Sequence, residues 1–235
     1  MVRKVIGGHW VWSPSMQLLA LENKIEAYVL PGGVIMQLMR ETAAKRPGLI
    51  THVGLGTFVD PLQDGGRMND AASDSLVERI TIDGKQYLRY LPIPVDVALL
   101  KGSAADEEGN ISLDEEPANL DIYAMASAAH NSGGKVIFQV RHKVPKGTLP
   151  ARVVRIPSAI VDVVVVDPEQ RQSYEIVYDS SISGEQKLER VEVQPLKFSV
   201  RLSIAMRARE ELREGAVINF GFGIPDQIAA LIASE

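Results

Sequence analysis

The chain has 235 residues, 46% of them hydrophobic and 23% charged, and its 30 acidic and 25 basic residues give a formal charge of −5. This composition predicts a globular protein of one large or two small domains, and the acidic balance without a Lys/Arg cluster argues against nucleic acid as a partner. The absence of cysteine excludes a disulfide scaffold, a cysteine-ligated zinc site and a cysteine nucleophile.

Neither a membrane span nor a secretory signal is indicated. No run approaches about 18 consecutive apolar residues, and the first residues, MVRKVIGGHW, lack the apolar core of a signal peptide. We therefore expect a cytoplasmic protein that does not contact a membrane.

The first quarter of the chain alternates strands with helices. Strands are predicted at residues 2–6, 25–30 and 49–53, and helices at residues 16–23 and 34–45. Ser13 and Pro14 suit the cap and the first turn of the first helix. On the second helix, the residues expected to share a face are Ile35, Leu38, Met39 and Thr42. The β-α-β-α-β order predicts right-handed crossovers and a parallel sheet.

The third strand runs into a glycine-rich loop, and residues 51–69 read THVGLGTFVDPLQDGGRMN. Gly54 and Gly56 permit positive φ angles and a close approach of a ligand to the backbone. Thr57 adds a hydroxyl and Phe58 an apolar surface. Because ligands bind at the carboxyl ends of strands in α/β sheets, this loop is a candidate binding site. The alternative interpretation is a tight surface turn.

Beyond residue 76 the pattern becomes strand-rich. Asp83-Gly84 between two strand-like runs, at residues 77–82 and 86–91, predicts a hairpin with a type I′ turn. Further elements are a helix at residues 120–131 and strands at residues 95–100, 111–113, 135–140 and 159–166. The acidic turn at 106–110 is interpreted as a solvated loop, since it lacks the terminal glutamate of a calcium loop. The strands at 95–100 and 159–166 are expected to be buried, and the β-branched run at 161–166 to be covered on both faces.

A second unit follows a polar, serine-rich stretch. Residues 168–198 are interpreted as a linker, which places the domains at residues 1–195 and 196–235. The second unit is predicted to contain a helix at 199–212, a short buried strand at 216–219 and a helix that opens at Pro225. The glycine loop before Pro225 has amides that could bind a phosphate or an oxyanion. One strand and two helices cannot bury a core, so we expect this second unit to be incomplete.

Common catalytic signatures are absent from the sequence. The four histidines are scattered without metal-binding spacing, and ordinary hydrogen-bonding or surface roles are expected for His9, His52, His130 and His142. There is no GxSxG nucleophile turn and no P-loop. Gly54-Leu55-Gly56 lacks the third glycine of a dinucleotide-binding loop. The residues by themselves indicate an α/β protein with two glycine loops and no assignable nucleophile.

Six ordered blocks carry a resemblance to a known family. They read GGHWVWSP, LPGGVIMQLMR, THVGLGTFVDPLQDGGRMND, KGSAADEEGNISLDEEPANLDIYAMA, RIPSAIVDVVVV and INFGFGIPDQIA. The sequence resembles family I coenzyme A transferases, most closely the single-chain enzymes that act on short-chain acids such as acetate, propionate and acetoacetate. The resemblance spans nearly the whole chain. It implies an α/β fold with a mostly parallel sheet and flanking helices, followed by an incomplete second α/β unit.

The resemblance implies transfer of coenzyme A between a short-chain acyl-CoA and a short-chain acid or 3-oxoacid through a glutamyl-CoA thioester. An oxyanion hole is implied to stabilise each tetrahedral intermediate. No metal and no cofactor are implied, because coenzyme A thioesters are the substrates. The expected partners are acyl-CoA, a short-chain carboxylic acid and the remaining CoA-transferase segment or subunit, and we expect a homo-oligomer.

The same resemblance assigns binding positions but no catalytic residue. In the family, the glutamate follows the Gly-Ile-Pro motif in a Glu-x-Gly context, so we expect it, like the first βα unit, to lie outside these residues. Gly32 stands where the family often has glutamine. The positions matched to acyl-CoA binding are Gly54, Leu55, Gly56, Thr57 and Phe58, the neighbouring Pro31 and Gly33, and Asn219, Gly221, Gly223 and Pro225.

Two other functions stay open at this stage. One is a non-catalytic subunit or binding module of the same fold. The other is an isomerase or deaminase of sugar phosphates, which would need acid/base carboxylates beside a phosphate loop. Only Asp60 and Asp64 are near the first glycine loop in the sequence.

Overall fold

The computed structural model describes residues 2–187, 197–221 and 223–233. Contacts between residues divide the chain into two units, Met1–Glu185 and Gln186–Glu235. The predicted domain boundary at residue 195 lies outside the described residues.

The first unit begins with a βαβ arrangement. Strands β1 (Lys4–Gly7) and β2 (Glu26–Val29) pair in parallel and are joined by helix α1 (Pro14–Leu21). Pro14 opens this helix as predicted, but the side chain of Ser13 makes no capping hydrogen bond. The parallel pairing predicted for these two strands is confirmed.

Helix α2 (Gly32–Ala43) packs through one stripe of its surface. It buries Val34, Leu38 and Thr42, which are spaced at four-residue intervals and therefore lie on one face. The predicted face is confirmed at Leu38 and Thr42, whereas Ile35 and Met39 are only partly buried.

The third strand does not continue the parallel arrangement. Strand β3 (Leu49–Thr51) belongs to a separate sheet with β4 (Val77–Ile82) and β5 (Lys85–Tyr90), in the order β3-β5-β4, and all its pairs are antiparallel. The predicted parallel pairing of this strand is therefore wrong, because strand order follows from long-range contacts and not from the alternation of elements. The hairpin is confirmed, with φ of 48° at Asp83 and 76° at Gly84.

A third sheet of the first unit, besides the β1-β2 pair and the β3-β5-β4 sheet, has five strands in the order β10-β8-β6-β7-β9. They are β6 (Val97–Asp106), β7 (Ile111–Ser112), β8 (Lys135–Val144), β9 (Val154–Ile156) and β10 (Val163–Val166). Helix α3 (Ile122–Asn131) packs on one face, where its alanines allow a close approach to Val136 and Phe138. The core of the first unit therefore includes this helix–sheet layer.

Two strand predictions are wrong about burial. In the described part of the chain β10 is an edge strand, and Val163 and Val165 are nearly half exposed, so this strand is not covered on both faces. Val97 and Leu99 of β6 are also exposed. A run of β-branched residues indicates a preference for extended backbone, whereas the burial of its two faces depends on which other elements pack against them.

Residues 168–185 belong to the first unit and are not a free linker. Gln170 and Gln172 are buried, and the Gln170 side-chain amide donates to the Gly102 carbonyl (2.8 Å). The Lys101 ammonium donates to the Gln172 carbonyl (2.7 Å). The linker prediction is therefore wrong for this part, and residues 188–196 lie outside the described chain.

The second unit contains helices α4 (Val200–Arg209) and α5 (Ile224–Ala233). Ser199 caps α4 by accepting a hydrogen bond from the Leu202 amide (3.1 Å). The strand predicted at 216–219 does not form, and Val217 is fully exposed, since no described strand pairs with it. Among the described residues, no helix combines the length and the apolar character needed to cross a bilayer.

Candidate functional site

The glycine loop, defined as residues 54–58, connects β3 to a series of turns. Gly54 and Gly56 have φ of 98° and 72°, which confirms that both positions need positive φ. The Thr57 amide donates to the Gly54 carbonyl (3.1 Å), and the Asp60 amide donates to the Thr57 carbonyl (2.9 Å). The loop is thus a chain of tight turns, as the alternative interpretation expected, and its two glycines differ in their surroundings.

Gly54 faces a packed interior and Gly56 faces open space. A Cβ placed on Gly54 would lie 2.5 Å from both Tyr90 Oη and Val59 Cγ2, far inside contact distance. A Cβ placed on Gly56 would meet no atom within 4 Å. Gly54 therefore lets the loop pack down, while Gly56 leaves bare backbone that a ligand can approach.

Asp60 holds the loop from its inner side. Its carboxylate is 1% exposed and accepts hydrogen bonds from the Gly56 amide (2.8 Å) and the Leu62 amide (3.1 Å). Arg79 of β4 pairs with it through Nε (3.0 Å to Oδ1). The hydrogen bond from Gly56, then that from Leu62 and the Arg79 charge, hold the pKa of Asp60 below its usual value despite burial. The carboxylate is therefore ionised and fully engaged.

Tyr90 supports the start of the loop. Its ring is completely buried, and its hydroxyl donates to the Val53 carbonyl (2.9 Å). Burial, with a smaller effect of the Asp60 charge, raises the pKa of Tyr90 to about 12. The hydroxyl consequently stays protonated and remains a donor at neutral pH.

The outer surface of the loop is formed by Thr57 and Phe58. Thr57 is exposed, and its hydroxyl donates to the Gly54 carbonyl (2.8 Å), which leaves the hydroxyl oxygen free to accept. The Phe58 side chain is 47% exposed. Leu55 is partly buried and packs on the core that includes Val59 and Tyr90. The loop thus presents one hydroxyl oxygen, one ring and bare backbone.

The structure brings the Pro31–Gly33 segment close to this loop. Leu30 and Val34, on either side of it, share one hydrophobic cluster with Val59. Gly66 connects the two segments, because its amide donates to the Phe58 carbonyl (3.0 Å) and its carbonyl accepts from the Val29 amide (2.8 Å). The Pro31 carbonyl accepts from the Val34 and Ile35 amides of α2, and a Cβ on Gly33 would meet nothing within 4 Å.

The remaining matched positions lie in the second unit. Asn219, Gly221 and Pro225 are exposed there, and Phe222 between them is outside the described residues. Gly223 has φ of 100°, and its amide donates to the Asp226 carboxylate (3.1 Å). The Asp226 carboxylate thus accepts the hydrogen bond of the Gly223 amide, which belongs to the loop that the sequence suggests for anion binding. The matched positions of the first unit lie near one another in that unit, and those of the second unit lie near one another in theirs.

Sequence reasoning missed Arg79, Tyr90 and Gly66 as parts of this site. Gly65-Gly66 after Asp64 signals a turn, and both glycines have positive φ, so Gly66 carried a local signal. Arg79 and Tyr90 look like ordinary strand residues, and nothing local marks them.

The described parts of the chain offer little support for a sugar-phosphate isomerase or for a metal site. Asp60 is buried and engaged, so it cannot serve as the acid/base group that a sugar-phosphate isomerase would need. Asp64 is exposed, and its carbonyl accepts from the Arg67 side chain (3.0 Å). Within residues 2–187, 197–221 and 223–233, no cluster of three or more metal-ligating side chains occurs.

Comparisons with known proteins identify relatives across the whole chain. The coenzyme A transferase family profile matches residues 1–167. Acetate CoA-transferase YdiF of Escherichia coli K12 is 42% identical over 236 residues, which cover 100% of this chain and 44% of that protein. Caffeate CoA-transferase of Acetobacterium woodii is 42% identical over 222 residues, which cover 93% of this chain and 42% of the relative.

A solved structure supports the same relationship. The crystal structure of E. coli O157:H7 YdiF as a thioester complex with CoA superposes with a TM-score of 0.89 at 41% identity, covering 99% of this chain and 46% of that one. The chain spans a little under half the length of the relatives it matches.

Proposed function

Because the chain belongs to the coenzyme A transferase family, we propose that it forms part of an enzyme that moves coenzyme A between a short-chain acyl-CoA and a short-chain acid or 3-oxoacid. The observation that carries the proposal is the glycine loop, with bare backbone at Gly56 beside the half-exposed ring of Phe58. The name of one relative, an acetate CoA-transferase, supports a short-chain acid as substrate, and that of another, a caffeate CoA-transferase, supports coenzyme A transfer to a carboxylic acid.

The reaction proceeds in two covalent stages. A glutamate carboxylate attacks the carbonyl of acyl-CoA, the thiolate of coenzyme A leaves, and a mixed anhydride forms. The thiolate then attacks the glutamyl carbonyl, which releases the first acid and gives the glutamyl-CoA thioester. The acceptor acid reverses both steps. The proposal assigns no residue of this chain as the glutamate.

The glycine loop forms one wall of the acyl pocket in this scheme. Phe58 provides apolar contact for the alkyl part of the acyl group, and Gly56 allows the group to approach the backbone without meeting a side chain. Thr57 offers an acceptor oxygen. Pro31 and Gly33 border the same wall, because Gly66 ties their segment to Phe58.

A coenzyme A exchange assay tests the proposal. The protein is incubated with acetyl-CoA and propionate, butyrate or acetoacetate, and the new acyl-CoA is separated by chromatography. We expect exchange with ping-pong kinetics, and a mass increase of the polypeptide that bears the glutamate, equal to the thioester adduct. Absence of exchange with every acid, when the glutamate-bearing segment is present on the same or a second chain, would refute the proposed activity.

The same assay tests the location of the nucleophile. The 235-residue polypeptide without any other chain is expected to transfer no coenzyme A. Turnover by this polypeptide would contradict the assignment of the glutamate to another segment. Activity that appears only after addition of a separate chain identifies this one as a subunit.

A further inference from the structure

Two buried polar side chains hold the backbone of the glycine loop, one immediately before Gly54 and one at Gly56. The Tyr90 hydroxyl donates to the Val53 carbonyl (2.9 Å), immediately before Gly54. The Asp60 carboxylate accepts from the Gly56 amide (2.8 Å). Because both side chains are almost completely buried, neither moves without disturbing the surrounding core.

The negative charge of the Asp60 carboxylate is paired with Arg79 at both oxygens. Arg79 reaches Oδ1 through Nε (3.0 Å) and Oδ2 through Nη2 (3.2 Å), which is a two-point ion pair. The Gly56 and Leu62 amides complete the arrangement. A buried charge is retained only when it is paired and hydrogen-bonded, and two-point arginine pairs fix geometry as well as charge. Asp60 is therefore a rigid anchor for the Gly56 amide.

The antiparallel β4–β5 hairpin supplies Arg79, which pairs with Asp60, and Tyr90, which binds the Val53 carbonyl. In the register of β4 and β5, Arg79 lies opposite Leu88 and Val77 lies opposite Tyr90. These four residues therefore belong to one face of the hairpin, since side chains alternate along a strand. A Cβ on Gly54 would meet both Tyr90 and Leu88, so this face is the one on which the loop packs.

We propose that Asp60 and Tyr90 are positioning residues, which hold the glycine loop in the shape that receives the acyl group, and that Arg79 acts through Asp60. The inference rests on the proposed function, because it assigns these residues a role in seating the acyl group. Each acts through the loop backbone. Without either anchor, the backbone at Gly56 and the ring of Phe58 would sample several positions, and binding would have to order them.

The kinetic signature differs from that of a catalytic residue. A loosened wall weakens contacts that the acyl group makes in the ground state and in the transition state alike, so KM rises more than kcat falls. Discrimination between acids of different chain length also weakens, because it depends on how closely the wall fits the alkyl chain.

Steady-state kinetics of variants test the proposal, with the glutamate-bearing segment present on the same or a second chain and with acetate, butyrate and hexanoate as acceptors. For Asp60→Asn and Arg79→Met we expect KM for the acid to rise about tenfold and the acetate-to-hexanoate preference to shrink. Arg79→Lys should recover part of the loss, because it restores the charge but not the two-point geometry. The matched control is Glu78→Gln, which removes an exposed ion pair with Arg89 from the other face of the same hairpin and should stay within about twofold of the wild type.

Tyr90→Phe provides a second, milder perturbation if Asp60→Asn does not fold. It removes one oxygen and keeps the ring, and we expect a rise in KM of about threefold. Hydrogen exchange of the Gly56 amide should accelerate in Asp60→Asn and not in Glu78→Gln.

Folded Asp60→Asn and Tyr90→Phe proteins with wild-type KM and wild-type chain-length preference would overturn the positioning role and leave the proposed function intact. A wild-type protein that transfers no coenzyme A to any acid, although the glutamate-bearing segment is present, would instead overturn the proposed function, and the positioning role with it.

Discussion

The contrast between Gly54 and Gly56 yields the sharpest prediction about the glycine loop. Substitution of either glycine by alanine places a side chain at positive φ, but only the Gly54 side chain would collide with buried atoms. The methyl group of Gly54→Ala would lie 2.5 Å from Tyr90 Oη and Val59 Cγ2 and 3.1 Å from Leu88 Cδ1. That of Gly56→Ala would enter open space.

The expected loss of stability follows from these two terms. Alanine at an unfavourable positive φ costs about 1–2 kcal/mol, and overpacking of a buried site adds about 1–3 kcal/mol. We therefore expect Gly54→Ala to lower the free energy of unfolding by about 4 kcal/mol and Gly56→Ala by about 1 kcal/mol. The first value is a large share of the stability of an ordinary domain.

Urea unfolding followed by tryptophan fluorescence measures the difference, since Trp10 and Trp12 both belong to the first unit. Among folded proteins, we expect Gly56→Ala to lower activity more than Gly54→Ala, the reverse of their effects on stability. Gly56→Ala narrows the space for the acyl group, so kcat/KM for hexanoate should fall about tenfold relative to acetate. Equal losses of stability in the two variants would refute the packing argument.

Three further predictions concern ionisation and capping. The pKa of Asp60 is lowered in the folded protein, so its ion pair stabilises the fold above a pH of about 4, and the stability deficit of Asp60→Asn should shrink as pH falls below that value in acid-unfolding curves. The pKa of Tyr90 is raised to about 12, so its contribution is complete below a pH of about 10 and is lost toward 12; Tyr90→Phe should therefore show a shallower alkaline loss of stability, followed by circular dichroism. Ser199→Ala removes the cap bond to Leu202 and should destabilise α4 by about 1 kcal/mol in hydrogen exchange, whereas Ser203→Ala, whose hydroxyl donates to the Ser199 carbonyl and caps no amide in the described residues, should cost less. A Ser203→Ala effect as large as that of Ser199→Ala would contradict the capping argument.

Local features of the fold were predictable from short stretches of sequence. The Asp83-Gly84 turn, the start of α1 at Pro14 and the positive φ of both loop glycines depend on the residue itself and its nearest neighbours. Family resemblance, carried by six ordered blocks, indicated the CoA-transferase fold, and the structural match with YdiF confirms it.

The pairing of strands and the burial of their side chains were not predictable from short stretches of sequence. β3 reads as a strand in sequence, yet its antiparallel partner β5 lies more than thirty residues away along the chain. The valines of β10 indicate an extended backbone, but among the described strands the sheet order places β10 at an edge. Gln170 and Gln172 look like linker residues, and their burial depends on carbonyls of distant segments. Each of these outcomes depends on long-range contacts, which local propensity does not contain.

The glycine loop shows the same division within a single site. Its glycines, Thr57 and Phe58 mark a candidate site in the sequence, because tolerance of positive φ, a hydroxyl and an apolar ring are properties of those residues. The two anchors come from elsewhere: Arg79 lies 19 residues beyond Asp60, and Tyr90 lies 37 residues beyond Val53. Only folding of the β4–β5 hairpin brings them to the loop, since a hydrogen bond needs its partners within about 3 Å. That packing also makes one glycine intolerant of a methyl group and leaves the other open to a ligand.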